Sequence, residues 1–242
     1  MTFNICCVTR DCDFINDFIE YHLNLGFDRI TIYDNLSVIP VVYDDQRVII
    51  IRYDGFYGAG YIPYNEHAKK YEKEKGFTAY IDEDEFIETC GKSIREAMQP
   101  YMEYDSLALD WRIFGDKIDE GNNSTKIWEK YLYHIPNEWT DPKGLNYVKS
   151  IVKNNAISIF IDPHYAVLKE GKVNRGVNGN IVTGSITQIK DVSGLCINHY
   201  YFRGREQYIE RQTRPIAGRA SRTIEDAANM YDFCNSLCTQ RK

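Results

Sequence analysis

Four consecutive acids, Asp82-Glu83-Asp84-Glu85, follow the strand-like run "FTAYI" and run straight into the apolar pair Phe86-Ile87. Like charges this close repel, and taking them out of water costs several kcal/mol unless something neutralises them. A surface turn would leave them hydrated, whereas a divalent cation would neutralise them. Asp82 and Asp84 are one residue apart on an extended backbone and point the same way, with Glu83 between them directed away. Two carboxylates on one face suit a hard cation that keeps waters and also takes diphosphate oxygens. For an isolated D-x-D a solvated turn is the commoner case. Two features favour the cation: these acids are embedded between apolar runs, and polar residues also close two earlier strand-like runs, Thr9-Arg10 and Asp34-Asn35.

Positioning those groups requires a scaffold, and the periodicity supplies one. "FNICCVT" is a buried strand, and Phe14, Ile15, Phe18, Ile19, Leu23 and Leu25 recur at helical spacing, with Asp11 or Asp13 as a cap and Gly26 as a stop. "RITIYDN" and "RVIIIRY" read as strands. A helix is expected from about Pro63 to Gly76, because proline suits a first helical turn. "FTAYID" and "SLALDWRIFG" are further strands, and "STKIWEKYLYHIP" reads as helical. From Lys149 to Tyr201 come short extended runs, "AISIFID", "YAVLK" and "GLCINHYYF", around the loop-like "NRGVNGNIVTG". Two helices, "GREQYIERQTR" and "RTIEDAANMYDFCNSL", close the chain. Strand, helix, strand, strand is how a parallel α/β sheet begins. Ligands of such sheets bind outside the carboxyl ends of the strands, so Thr9-Arg10, Asp34-Asn35 and Asp82-Glu83-Asp84 are expected along one rim.

At 242 residues, 43% hydrophobic and 26% charged, the chain can bury a sizeable core. Its net charge of −6 argues against a general nucleic-acid binder. Neither a basic-then-apolar leader nor a run of about 18 apolar residues is present. None of the seven cysteines forms a C-x-x-C pair, and Cys234 with Cys238 has no local partners for zinc, so reduced thiols in a cytoplasmic protein are expected. With no internal repeat or linker, residues 1–242 are expected to form a single domain.

The chain resembles the nucleotide-sugar glycosyltransferases of GT-A fold, in particular the family 2-like and family 92 group once catalogued as a domain of unknown function. The resemblance is carried in order by "FINDFIEYHLNLGFDRITIYDN" (Phe14–Asn35), "YNEHA" (Tyr64–Ala68), "YIDEDEFIE" (Tyr80–Glu88), "WRIFG" (Trp111–Gly115) and "INHYYFRGREQY" (Ile197–Tyr208). It implies a Rossmann-like, mostly parallel sheet flanked by helices, with a smaller extended and helical C-terminal part. Residues 1–120 would bind the nucleotide-sugar and 121–242 the acceptor. Asp84 with Asp82 would hold Mn²⁺ or Mg²⁺ on the donor diphosphate, with Glu83 in the same donor-binding turn. Thr9 and Arg10 would lie by the nucleotide, Asp34 by the base or ribose, and Asn65 by the nucleoside or diphosphate. His199 matches the late histidine that supplies a third metal ligand in this fold, and neutral imidazole suits Mn²⁺. Its ordinary alternative is a hydrogen-bonded strand-end histidine, and His164 is a rival for the metal. The chain departs from the pattern at Asp116-Lys117-Ile118-Asp119 after "FG", and at "SVIPVV" after Asn35, where a polar run is usual.

Glycosyl transfer needs positive charge on the departing diphosphate, from the metal and from Arg203 or Arg205. Inversion needs a carboxylate to deprotonate the acceptor hydroxyl. Asp110, beside Trp111 on a strand, suits that role, and Asp116 is nearly as good. The ordinary alternatives are a salt bridge from Asp110 to Arg112 and core packing for Trp111. Beyond Arg205, the basic run continues through Arg211, Arg214, Arg219 and Arg222. It reads as a solvated helical face, with peripheral contact to an anionic membrane carrying a lipid-linked acceptor as the sharper reading. The expectation is therefore a metal-dependent, inverting glycosyltransferase that moves a hexose from a UDP-sugar to a glycan or other hydroxyl. The alternatives are a sugar-phosphate nucleotidyltransferase, against which "TRDCDF" offers no glycine-rich phosphate loop, and a non-catalytic nucleotide- or sugar-binding protein.

Overall fold

Near-continuous apolar runs mark strands buried on both faces, and Phe3 to Cys7 in the first strand are all buried. The computed structural model describes residues 1–55, 61–137, 146–213 and 222–240. Its first half contains β1 (Thr2–Thr9), α1 (Ile15–Asn24), β2 (Arg29–Asp34), β3 (Val48–Arg52), α2 (Tyr61–Tyr71), β4 (Gly76–Tyr80), β5 (Glu85–Glu88), α3 (Ile94–Met98) and β6 (Ser106–Ile113). Then follow α4 (Ile127–Lys130), β7 (Tyr133–His134), β8 (Val148–Lys153), β9 (Ile157–Asp162), β10 (Tyr165–Leu168), β11 (Asn174–Gly176) and β12 (Cys196–His199). The chain closes with α5 (Arg205–Thr213), α6 (Ile224–Leu237) and β13 (Thr239–Gln240).

The main sheet runs β3-β2-β1-β4-β8-β6-β12-β5, with β11 beside β6. Strands β1 to β4 are mutually parallel, as are β6, β11 and β12. Only β8 and β5 run against their neighbours. This is a mixed α/β fold with a mostly parallel central sheet flanked by helices, compatible with a Rossmann-like arrangement. Because β2, β1 and β4 are adjacent and parallel, their carboxyl ends share one rim, and Thr9 lies directly opposite Asp34.

Two local differences from the sequence reading have physical causes. "STKIWEKYLYHIP" is helical only over Ile127–Lys130; the tyrosine-rich remainder takes extended structure, and Tyr133–His134 pairs with β13. The second helix stops at Tyr71, so that Gly76 can begin β4 against Thr2. A side chain there would collide with Thr2, its Cβ reaching 2.3 Å from the Thr2 hydroxyl.

Alternation along β6 divides its side chains between two faces. Leu107, Leu109, Trp111 and Ile113 join the main core with α1 and β5, whereas Ala108 packs with Val148 and Val182 on the other side. Helix α1 is locked to β5 by the buried His22. Its Nδ1–H donates to the Phe18 carbonyl at 2.8 Å and its Nε2 accepts from the Ile87 amide at 3.2 Å. Burial pushes this imidazole down to about 3, so it is neutral.

Candidate functional site

The acidic turn after β4 is neutralised from two sides. Lys149 of β8, 0% exposed, donates toward Asp82 at 2.9 Å and lies 3.5 Å from Glu85. Burial works against its charge, but Asp82 and Glu85 hold the ammonium well above its ordinary value. The same ammonium donates to the Pro163 carbonyl at 3.1 Å, tying the β9–β10 turn to the acids. Asp82 also accepts from the Tyr64 hydroxyl at 3.2 Å, and its amide donates to Glu85 at 2.8 Å.

Asp84, 4% exposed, is met by the C-terminal part of the chain. Its Oδ2 accepts from Arg211 at 2.7 Å and from Arg203 at 3.1 Å, and its Oδ1 lies 3.3 Å from His199 Nε2. Burial opposes ionisation, yet His199, Arg211 and Arg203 together hold this carboxyl well below the usual carboxylate range. Burial lowers His199 against the pull of Asp84. Arg211 is further fixed by donating to the Tyr201 carbonyl at 2.7 Å, and Arg203 by donating to that of Tyr200 at 2.8 Å. For half-buried Glu83, burial, Asp84 and Asp82 outweigh the nearby Arg203 and push it up to about 8.

Comparison with family models and with curated proteins finds no match for this chain.

Asp84, His199 and Arg203 thus come together, and Asp82 stands beside them in the same turn. Asp34 lies on the same rim, fully engaged: its oxygens accept from the amides of Ser37 and Val41 and from Arg52 at 2.6 Å. Burial raises it, and those hydrogen bonds outweigh burial and lower it. Thr9 is buried with its hydroxyl unpartnered, and Arg10 lies 3.6 Å from Asp11. Asn65 uses both ends of its amide on the Phe160 backbone, at 2.7 and 2.8 Å, and so clamps β9 to α2.

Neither Asp110 nor Asp116 is hydrogen-bonded to Asp84, His199, Arg203 or Arg211. Asp110 and Trp111 are neighbours in sequence and therefore lie on opposite faces of β6. Asp110 accepts from the Asp191 amide at 2.8 Å, keeps one oxygen unpartnered, and is raised by burial to about 6. Arg112 does not pair with it, donating instead to Asn198 and to the Val192 carbonyl. Asp116 accepts from the Tyr231 hydroxyl, and its amide donates to Asn235, both on α6. His164 stacks on Tyr147 rather than on Asp84.

Lys149 and Arg211 are the two members of the site that the sequence reading passed over. A lysine at a buried position within "YVKSIVK" was the available signal for the first. Arg211 was one among several basic residues; Arg205 pairs with Asp232, Arg222 donates to Tyr208, and Arg214 and Arg219 lie outside the described residues.

No group of three His, Cys, Asp or Glu side chains arranged to hold a metal occurs among the described residues. The pair that could share a cation is Asp84 Oδ1 with His199 Nε2. A cation with two protein ligands takes its remaining ones from water and substrate phosphate.

Proposed function

We propose that this chain is a glycosyltransferase of GT-A type, transferring a sugar from a UDP-sugar to a glycan or other hydroxyl acceptor with inversion. The observation that carries the reading is the junction at Asp84. A carboxylate in the turn between β4 and β5 meets an imidazole and two guanidiniums from residues 199–211, beyond the strand ends that carry Thr9 and Asp34. Carboxylate and imidazole suit Mn²⁺ or Mg²⁺, and the guanidiniums suit a diphosphate, which they can bind in bidentate fashion. In this reading Asp84 and His199 would be the cation's protein ligands, and Asp82, which Lys149 holds, would support the turn.

When bound, the cation supplies Lewis-acid charge to the departing diphosphate. Arg203 and Arg211 add fixed positive charge at the same place, and the Nε–H of Arg203 is buried without an acceptor, ready for a phosphate oxygen. Thr9 and Arg10 face the nucleoside side, where Asp34 acts by holding the turn through Val41. For the acceptor proton the candidates are Asp110, which keeps one oxygen unpartnered and is raised by burial to about 6 but lies on the face of β6 opposite Trp111, and Asp116, which the Tyr231 hydroxyl holds. The charged neighbours of Asp110 are Lys190 and Asp191, not the residues around Asp84. Exchanging Asp110 and Asp116 separately for Asn tests both: a variant that keeps its rate has not lost the base.

Calorimetry of UDP binding, with and without Mn²⁺, on the wild type and on Asp84→Asn tests the donor site. Mn²⁺ should strengthen UDP binding in the wild type and give no gain in the variant. A wild type whose affinity for UDP, GDP and dTDP ignores Mn²⁺ sinks the metal-dependent reading.

A further inference from the structure

We infer that Trp111, Tyr147, His164 and Tyr201 form a seat for a pyranose ring next to the Asp84 junction; its assignment to sugar transfer rests on the function proposed above. Trp111 is 6% exposed and packs on His199, with ring centroids 4.3 Å apart. Tyr147 and His164 reach the same indole at 5.5 and 5.4 Å and stack on each other at 4.6 Å. Tyr201 reaches His199 at 4.9 Å. Tyr147, His164 and Tyr201 are all half-buried around the buried indole, with the Arg211 guanidinium 4.7 Å from the Tyr201 ring.

The indole N–H carries the chemical argument. It is buried with no acceptor, and leaving such a donor unpaired costs about 1–3 kcal/mol. Buried donors of this kind call for a ligand or water oxygen. Aromatic faces beside an unsatisfied N–H match a molecule with an apolar C–H face and hydroxyl oxygens, which is a sugar ring. A hydrocarbon chain would leave the N–H unpaired, and a bare phosphate would make no use of the ring faces. The seat is also held at a set distance from the acids, because Lys149 binds both Asp82 and the Pro163 carbonyl immediately before His164.

Two substrates carry such a ring, the donor's transferred residue and the acceptor, and two binding arms separate these sources. The first is calorimetry with UDP, UDP-glucose, UDP-galactose and UDP-N-acetylglucosamine. The second is saturation-transfer NMR with methyl glucosides and galactosides. Both are run on the wild type, Trp111→Phe, which keeps a ring but removes the N–H, and Tyr147→Leu, which has no contact with Asp84. For a donor seat, at least one UDP-sugar binds more tightly than UDP, and each variant reduces that ratio by about fivefold. For an acceptor seat, the ratio stands and both variants lose the methyl-glycoside signal instead. If neither variant alters either readout, or no sugar is detected in either arm, Trp111 is satisfied by water and the seat is refuted. Should no nucleotide bind at all, the proposed donor chemistry fails by itself, and the methyl-glycoside arm alone decides the seat.

Discussion

His22 ties α1 to the edge strand beside the acidic turn, and its pKa makes that tie a measurable source of acid sensitivity. Both ring nitrogens are used in the neutral form, Nδ1–H on Phe18 and Nε2 accepting from Ile87, so protonation would set a second N–H against the Ile87 amide. The folded pKa is about 3 against an ordinary 6.5. Above pH 6.5 both states are neutral and His22 has no pH-dependent effect. As the pH falls below 6.5 only the unfolded chain takes up the proton, and stability is lost until the folded group titrates. From pH 7 to pH 5 that linkage amounts to about 2 kcal/mol for this one residue. Raw stability would not isolate it, because Glu83, raised to about 8, and Asp110, raised to about 6, contribute in the opposite direction as pH falls. The quantity to measure is the difference in urea-unfolding free energy between wild type and His22→Gln at the two pH values. It should shrink by about 2 kcal/mol from pH 7 to pH 5, since only the wild type carries the penalty. The ring-proton shifts of His22 should also stay at their neutral values down to pH 4.5 or so. A constant difference across the two pH values, or an imidazole that titrates near 6, would refute the buried neutral tie.

Three further outcomes follow from the partners of single side chains. Lys149→Met leaves the buried Glu85 without its ammonium beside an Asp82 that is itself 39% exposed, and should cost about 1–3 kcal/mol in denaturant unfolding; an unchanged stability would mean that water serves the acids as well as the ammonium does. Asn65→Ala releases two hydrogen bonds to Phe160 and should lower stability by about 2 kcal/mol, while UDP affinity stays level. A selective fall in UDP affinity with unchanged stability would return Asn65 to the nucleotide. Arg211→Gln removes a guanidinium from Asp84 and should weaken UDP binding by about tenfold; calorimetry that finds no change would confine Arg211 to a structural pairing.

Much of this arrangement is legible from residue order alone. The apolar runs of β1, β2 and β4 and the helical spacing of α1 mark a parallel opening, because period and β-branching are local properties. Parallel neighbours must then end on one rim, which is why residue order alone aligns Thr9, Asp34 and the acids. What the sequence does not reveal is how the acids are neutralised. Lys149 and Arg211 lie far along the chain from Asp82 and Asp84, and only the insertion of β8 between β4 and β6 and the return of α5 over the rim bring them there. Asp110 and Trp111 make the same point at shorter range: adjacency in sequence suggested one site, and the two-residue period of a strand separates them onto opposite faces. Residue type and spacing thus determined which groups could carry charge chemistry. Tertiary structure decided which of them meet, because long-range pairing depends on strand order and direction, which no local pattern encodes.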